Sequence, residues 1–304
     1  MNSLSGKDVL TAGQFDPKLC THIFEEARAM RTLVEEHGSL DRLKPKVLMN
    51  LFYEPSTRTS ASFAAAMLRL GGKVFPISEI SSSSVAKGET LEDTVKTLEQ
   101  YADVIVLRHP EAGSAQRAAE AADIPIINAG DGAGEHPTQA LLDLFTIREE
   151  KGGIDGLTVT LLGDLKYGRT VHSLSRLLSQ YDVRLNLVSP KSLKLPEPVR
   201  KDLTVPVTEQ ESLEAVLPKT DVLYVTRVQQ ERFAKQADYE KVKGSYIVTP
   251  ELLKEAKADL AVLHPLPRVD EIDKRFDADP RAAYFREVRN GLYVRMALLA
   301  LVLE

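Results

Sequence analysis

Val47-Leu48-Met49-Asn50-Leu51-Phe52-Tyr53, followed at once by Glu54-Pro55-Ser56-Thr57-Arg58-Thr59, is the stretch on which the fold turns. Its first seven residues form an apolar run broken only by Asn50, and they read as a buried strand. Beyond it, Phe63, Met67 and Leu70 recur at i, i+4 and i+7, which is one face of a helix. Gly71-Gly72 stands where such a helix should end. Val74-Phe75-Pro76-Ile77 then reads as a second strand, at a sheet edge because proline has no N–H to give to a ladder.

The same alternation continues outward. Thr90-Leu91-Glu92-Asp93 has the form of a capping box opening another helix. Residues 104–107 and 124–127 read as short buried strands. After Gly152-Gly153 the pattern restarts, with strands expected at 157–162, 183–188, 221–226, 246–248 and 260–263 and a helix at 170–180. A proline-rich stretch over 190–206 interrupts it, and an apolar helix over 288–303 closes the chain. Alternation of this kind predicts an α/β fold with parallel sheets in two successive units. The chain has 304 residues, enough for two cores.

Composition narrows the function. No apolar run is long enough to cross a bilayer. Met1 to Asp8 carries neither an apolar signal core nor an Arg-rich amphipathic pattern, so a cytoplasmic location without membrane association is expected. The single cysteine, Cys20, excludes a disulfide within one chain, and its helix-like surroundings suit packing better than nucleophilic chemistry. A net charge of −5 argues against nucleic acid as a general partner. It leaves room for small anions, since a few arginines in a cleft can reverse the local field. None of the six histidines forms an H-E-x-x-H pair, and C-x-x-C and the G-x-x-x-x-G-K-[ST] loop are absent, so neither metal nor cofactor is expected.

Open α/β sheets bind ligands beyond the carboxyl ends of their strands, so the informative residues should follow each apolar run. Ser56-Thr57-Arg58-Thr59 follows one strand and opens a helix. It is either an ordinary helix cap with a solvated arginine or a phosphate cradle of hydroxyls, N–H groups and a guanidinium. Leu107-Arg108-His109-Pro110 lies at another strand end, where Arg108 is either a surface charge or an anion ligand. In Asn128-Ala129-Gly130-Asp131-Gly132-Ala133-Gly134-Glu135-His136-Pro137-Thr138-Gln139 the glycines are spaced G-x-G-x-G, which is not the dinucleotide fingerprint. His136 sits just before Pro137, a residue suited to a first helical turn, and is either structural or aimed at a ligand. Three more strand ends carry Gly163-Asp164-Leu165-Lys166-Tyr167-Gly168-Arg169-Thr170, Thr226-Arg227-Val228-Gln229 and His264-Pro265-Leu266-Pro267-Arg268. Arg58, Arg108, Arg169, Arg227 and Arg268 would thus converge from five strand ends, as a site for a small, multiply anionic substrate needs.

The order STRT, KGET, LRHP, HPTQ, GDLKYGRT, TRVQ, HPLPR resembles the catalytic chains of the aspartate carbamoyltransferase family from about Leu10 to the C-terminus. It looks closest to the transcarbamoylase domain of the eukaryotic multifunctional pyrimidine-synthesis polypeptide. The resemblance implies two doubly wound parallel-sheet domains with helices on both faces and a C-terminal helix returning to the first. The expected division is 1–137 with 288–304 for carbamoyl phosphate and 138–287 for aspartate. It implies carbamoyl transfer to L-aspartate, an early step of de novo pyrimidine synthesis.

By the same resemblance, Ser56, Thr57, Arg58, Thr59 and Arg108 hold the phosphate, and Thr59, Arg108 and His136 surround the carbamoyl oxygen. Gln139 and the backbone of Leu266 and Pro267 receive the carbamoyl nitrogen, and Arg169, Arg227 and Gln229 hold the aspartate carboxylates. Ser83 and Lys87 match a loop given by a neighbouring subunit, so a homotrimer with shared sites is implied. Some bacterial relatives have two adjacent lysines there, whereas here Ala86 precedes Lys87. Glu54 and Arg232 match residues that tie the domains on closure. The chain is open to being part of a larger multifunctional polypeptide. Three rivals stand beside this reading: an ornithine-type transcarbamoylase, which has a cysteine where this chain has Pro265, a silent metabolite-binding scaffold, and an NAD-dependent oxidoreductase, which fails on glycine spacing.

Overall fold

The computed structural model describes residues 4–77, 88–228, 233 and 235–304. The chain divides into two units, Met1–Leu141 with Arg289–Glu304, and Leu142–Val288. Each is built on its own parallel sheet.

The first unit begins with helix α1 (Pro17–His37), capped by Asp16, whose carboxylate accepts the Leu19 N–H at 2.7 Å. Cys20 is fully buried in α1, as helix packing requires. Then come β1 (Val47–Phe52), α2 (Thr57–Arg69), β2 (Lys73–Ile77), α3 (Leu91–Leu98), β3 (Val104–His109), α4 (Ser114–Ala121) and β4 (Ile126–Asp131). The strand order is β2-β1-β3-β4, so the proline-bearing strand is at the edge as expected. Thr90 caps α3 by accepting the Asp93 N–H at 3.1 Å. Met49, Leu51, Val95, Ile105, Leu107 and Ile126 close one face of the sheet. Each such fully buried side chain contributes about 1.5–3 kcal/mol.

Asn50 is a polar residue inside a buried strand, and its place has a reason. Its amide donates to the Ser60 carbonyl at 3.1 Å and to the Ser60 hydroxyl at 3.0 Å, tying α2 to β1. A second tie comes from the end of the chain. Arg295 donates to the Ser62 hydroxyl at 2.8 Å and lies 5.0 Å from the Phe63 ring centre, so the returning C-terminal helix also holds α2. The first turn of α2 is thus fixed from behind.

Helix α5 (Pro137–Lys151) leads into the second unit. There follow β5 (Thr158–Leu162), α6 (Arg169–Leu178), β6 (Arg184–Val188), α7 (Glu197–Asp202), β7 (Val207–Gln210), β8 (Val222–Val225), the short α8 (Gln236–Glu240) and β9 (Ala261–Leu263). Helix α9 (Tyr284–Leu303) carries the chain back into the first unit. The order β7-β6-β5-β8-β9 is again wholly parallel. Its core is Leu162, Val188, Leu223, Val225, Val262 and Phe276 among others. Two details of the sequence reading are corrected. Residues 246–248 form no strand, only a single bridge from Val248 to Ile272. An edge strand, β7, follows directly on the proline-rich stretch that read as an interruption.

Candidate active site

Each sheet has one switch point, where successive connections turn to opposite sides. In the first unit it lies between β1 and β3, and in the second between β5 and β8. Ligands of such sheets bind there, beyond the carboxyl ends of the strands.

At the first switch point Phe52 pairs with Arg108, and the Tyr53 N–H donates to the Arg108 carbonyl at 2.8 Å. The start of α2 and Arg108 are therefore held side by side. Ser56 occupies the cap position of α2, yet its side chain makes no capping bond. The cap reading of that serine is not what the structure adopts, and its hydroxyl remains beside the helix N–H groups that attract anions. Thr57 and Arg58 are exposed, Ser56 is half-buried and Thr59 is buried. The Arg108 side chain approaches the Glu54 carboxylate at 3.5 Å and donates to the Ala129 carbonyl at 3.4 Å, which aims it along the strand ends.

The loop carrying His136 is built by Asp131. Its carboxylate accepts the Gly113 N–H at 2.7 Å and the Glu135 N–H at 2.8 Å. Gly132 has φ 51°, and its N–H donates to the His109 carbonyl at 2.9 Å, so the β3 and β4 ends are locked together. A side chain at Gly132 would collide with the Pro110 carbonyl. This is why the loop is glycine-rich, and no dinucleotide is involved in the explanation. His136 and Gln139 follow, both buried, with the His136 carbonyl accepting the Gln139 N–H at 3.1 Å. The organising role of Asp131 escaped the sequence reading, because nothing in its neighbours distinguishes it from a solvated loop aspartate.

At the second switch point Gly163 ends β5 and Thr226 follows β8. The Thr226 N–H donates to the Leu162 carbonyl at 2.8 Å, and a Cβ on Gly163, at φ 111°, would overlap the Thr226 carbonyl. Asp164 accepts the N–H groups of Lys166 and Tyr167 at 3.2 and 2.9 Å, turning the chain into α6. Arg169 is the first residue of that helix and is 8% exposed. Arg227 is half-buried and lines a cleft of about 170 Å³ with Lys243, Tyr246 and Glu271. Burial by itself pushes the Glu271 carboxyl up. The His264 ring and the N–H groups of the loop outweigh this and hold it below the ordinary value.

Leu266 has φ 53° and its bond to Pro267 is cis. Arg268 departs from expectation. It forms a paired ion contact with Asp277 and donates to the Tyr284 hydroxyl at 3.1 Å, so it ties the loop to the second unit and is not a fifth substrate cation. Ser83, Lys87, Gln229 and Arg232 lie outside the described residues. Among the described residues no group of three His, Cys, Asp or Glu could hold a metal ion, and no helix is long and apolar enough to cross a membrane.

Comparison with known proteins agrees with this geometry over nearly the whole chain. Residues 7–149 match the carbamoyl-P binding domain of aspartate/ornithine carbamoyltransferase, and residues 155–302 match its Asp/Orn binding domain. The chain is 57% identical to multifunctional protein pyr1-3 of Dictyostelium discoideum and 54% identical to multifunctional protein CAD of Squalus acanthias, over 99% and 98% of its own length. It spans only 14% and 13% of those two proteins. It is also 54% identical to the aspartate carbamoyltransferase catalytic subunit of Thermococcus kodakarensis, over 98% of this chain and 97% of that one. Among solved structures, aspartate transcarbamoylase from Trypanosoma cruzi in complex with N-(phosphonacetyl)-L-aspartic acid superposes with a TM-score of 0.96 at 43% identity, covering 100% of this chain and 98% of that one. Matched by both domain models and by relatives of its own length, this chain belongs to the aspartate/ornithine carbamoyltransferase family, on its aspartate carbamoyltransferase branch.

Proposed function

We propose that this chain transfers the carbamoyl group of carbamoyl phosphate to the amine of L-aspartate, giving N-carbamoyl-L-aspartate and phosphate. The observation that carries the reading is the chemistry at the two switch points. One offers hydroxyls, a helix start and two arginines to a phosphate, and the other offers Arg169 and Arg227 to carboxylates.

In this reading Ser56, Thr57, Arg58, Thr59 and Arg108 bind the phosphate. Thr59, Arg108 and His136 donate to the carbamoyl oxygen, while Gln139 and the main chain of Leu266 and Pro267 receive the carbamoyl nitrogen. Arg169, Arg227 and Gln229 bind the two carboxylates of aspartate. The amine lone pair attacks the carbamoyl carbon, the bond from that carbon to the phosphate oxygen breaks, and the amine proton leaves with phosphate. Negative charge grows first on the carbamoyl oxygen and then on phosphate, so donors fixed at those positions lower the barrier. Orientation of two bound anions supplies much of the rest. An ornithine-type substrate fits less well, because a second cation would meet Arg169 and Arg227.

The relatives that are multifunctional proteins support a place for this chain in a larger pyrimidine-synthesis polypeptide, and a cytoplasmic location belongs to the same proposal. The KGET lysine supports a homotrimer in which Ser83 and Lys87 serve a neighbour's site. A colorimetric assay for carbamoyl-aspartate, with ornithine as the control acceptor, tests the reaction; product from ornithine alone would overturn it. Mixing Arg58→Ala and Lys87→Ala chains tests the sharing. Random exchange around a closed ring should restore roughly a quarter of the sites. No recovery despite proven exchange would place both residues in one chain's site.

A further inference from the structure

Behind the Leu266–Pro267 loop lies a continuous run of buried polar contacts that the proposed reaction does not use. Tyr224 on β8 donates its hydroxyl to Asp143 on α5 at 2.8 Å. Asp143 hydrogen-bonds Glu287 on α9. Glu287 Oε2 accepts the His264 N–H at 2.8 Å. The His264 ring then serves the loop itself: Nδ1 accepts the Leu266 N–H at 2.7 Å, and Nε2 lies 2.7 Å from Glu271 Oε1. Glu271 Oε2 accepts the N–H groups of Val269 and Asp270, each at 3.0 Å. Tyr224 and Asp143 are fully buried, and Glu287 and His264 are 1% exposed.

Proton positions follow from the donors. Two carboxyl groups can hydrogen-bond only if one carries a proton, so Asp143 and Glu287 share one. Burial first, then the charge of Asp143 and the bond to it, push the Glu287 carboxyl far above its ordinary value. The Leu266 N–H points at Nδ1, so the ring proton is on Nε2 and is donated to Glu271. Burying two carboxyls is costly, and an apolar pair of equal volume would avoid that cost. What such a pair could not do is accept the His264 N–H.

We propose that the buried Asp143–Glu287 pair is a positioning element of the transfer site: it anchors the His264 main chain and, through the His264 ring, the Leu266 main chain that receives the carbamoyl nitrogen. This rests on the reaction proposed above. The pair lies at the second residue and the second-to-last residue of the Leu142–Val288 stretch, so the same contact joins the two ends of the second unit's chain.

The test compares two substitutions of equal length in the full chain. In Glu287→Gln the amide oxygen accepts the His264 N–H and the amide N–H replaces the shared proton toward Asp143. In Glu287→Met the packing is filled but the acceptor is gone. Glu287→Gln should keep kcat within about threefold of wild type, while Glu287→Met should lose about thirty- to a hundredfold. KM for carbamoyl phosphate should move by less than about threefold in both, because the Ser56–Arg58 cradle is untouched. Hydrogen exchange over 264–271 should accelerate in the Met variant only. Wild-type turnover and exchange in Glu287→Met would overturn the proposal, as would a Gln variant as damaged as the Met variant. Should Glu287→Met not fold, Glu271→Met removes the acceptor on the other side of the ring, and unchanged exchange at Leu266 there would overturn it. If the wild type makes no carbamoyl-aspartate, the reaction reading fails while the exchange comparison still judges the anchor.

Discussion

At the first switch point the groups suited to anions stand at a helix start, with Thr57 and Arg58 exposed and their backbone held from behind by Asn50 and Arg295. At the second, Arg169 is packed into its unit, Arg227 lines a cleft, and the loop supplying Leu266 hangs from a buried network of Tyr224, Asp143, Glu287, His264 and Glu271. The first arrangement separates binding from folding: the tip is exposed, and the contacts that hold α2 lie behind it. The second merges them, because Arg169 is packed into its unit and the Leu266 main chain hangs directly from the buried network.

That contrast is broken most severely at Arg58. Arg58→Ala should lower turnover by about a thousandfold or more, since it removes a charge-assisted donor from developing phosphate charge. Its stability should change by less than about 0.5 kcal/mol, as for most exposed side chains. Steady-state kinetics with a thermal melt would check both, and near-normal turnover would remove the phosphate from this switch point. Next in size are Arg169→Lys and Arg227→Lys. Lysine keeps the charge but loses the paired N–H geometry, so KM for aspartate should rise about ten- to a hundredfold. Inhibition by inorganic phosphate should stay unchanged. The buried Arg169 variant should also melt earlier than the Arg227 variant, and equal melting would blur the distinction between the two regions.

The sequence carried the first region almost completely. The strand run 47–53, the periodic Phe63, Met67 and Leu70, and the three hydroxyls and one guanidinium at 56–59 are all local signals. The second region was legible in its strands but less so in its edges. Val207–Gln210 is an edge strand with three exposed residues of four, so it has no apolar run to betray it. Residues 246–248 have the run but pair through one bridge. Arg268 looked like the other strand-end arginines, and only folding brings Asp277 to it. Asp143 and Glu287 could not be found from sequence at all. Each is an ordinary acid on a helix until the fold buries both against Tyr224 and the His264 N–H.

The acid pair gives the second region a pH dependence that the first should lack. The Glu287 carboxyl has a folded-state pKa raised well above the ordinary 4.5, and the groups facing it are Asp143, Tyr224 and the His264 main chain. Tyr224 is itself pushed up by burial and then by Asp143 and Glu287, so it stays neutral. A raised carboxyl binds its proton more tightly when folded. Its stabilising contribution is therefore complete below pH 4.5 and is lost as pH rises through the folded-state value. Glutamine cannot titrate, so Glu287→Gln should gain stability relative to wild type as pH rises above 4.5, by at most about 1.4 kcal/mol per unit. Urea melts of both proteins from pH 5 upward report the joint titration of Glu287 and Asp143, because every titration outside the pair is common to them. Parallel curves would show that the pair holds no shared proton.

The smallest expected effect returns to the first region and asks whether its hydroxyls serve the fold or the ligand. Ser56 sits at a helix cap position without making the capping bond. A working serine cap is worth about 1 kcal/mol, so Ser56→Ala would cost that much if the bond formed in solution. With the hydroxyl reserved for phosphate, stability should stay within about 0.5 kcal/mol of wild type. KM for carbamoyl phosphate should rise about three- to tenfold, the worth of one hydrogen bond to an anion at a partly solvated site. The KM for aspartate, read at saturating carbamoyl phosphate, should not follow. A full capping loss with unchanged KM would reverse the assignment: the first switch point would then bind and fold through the same residues, as the second does.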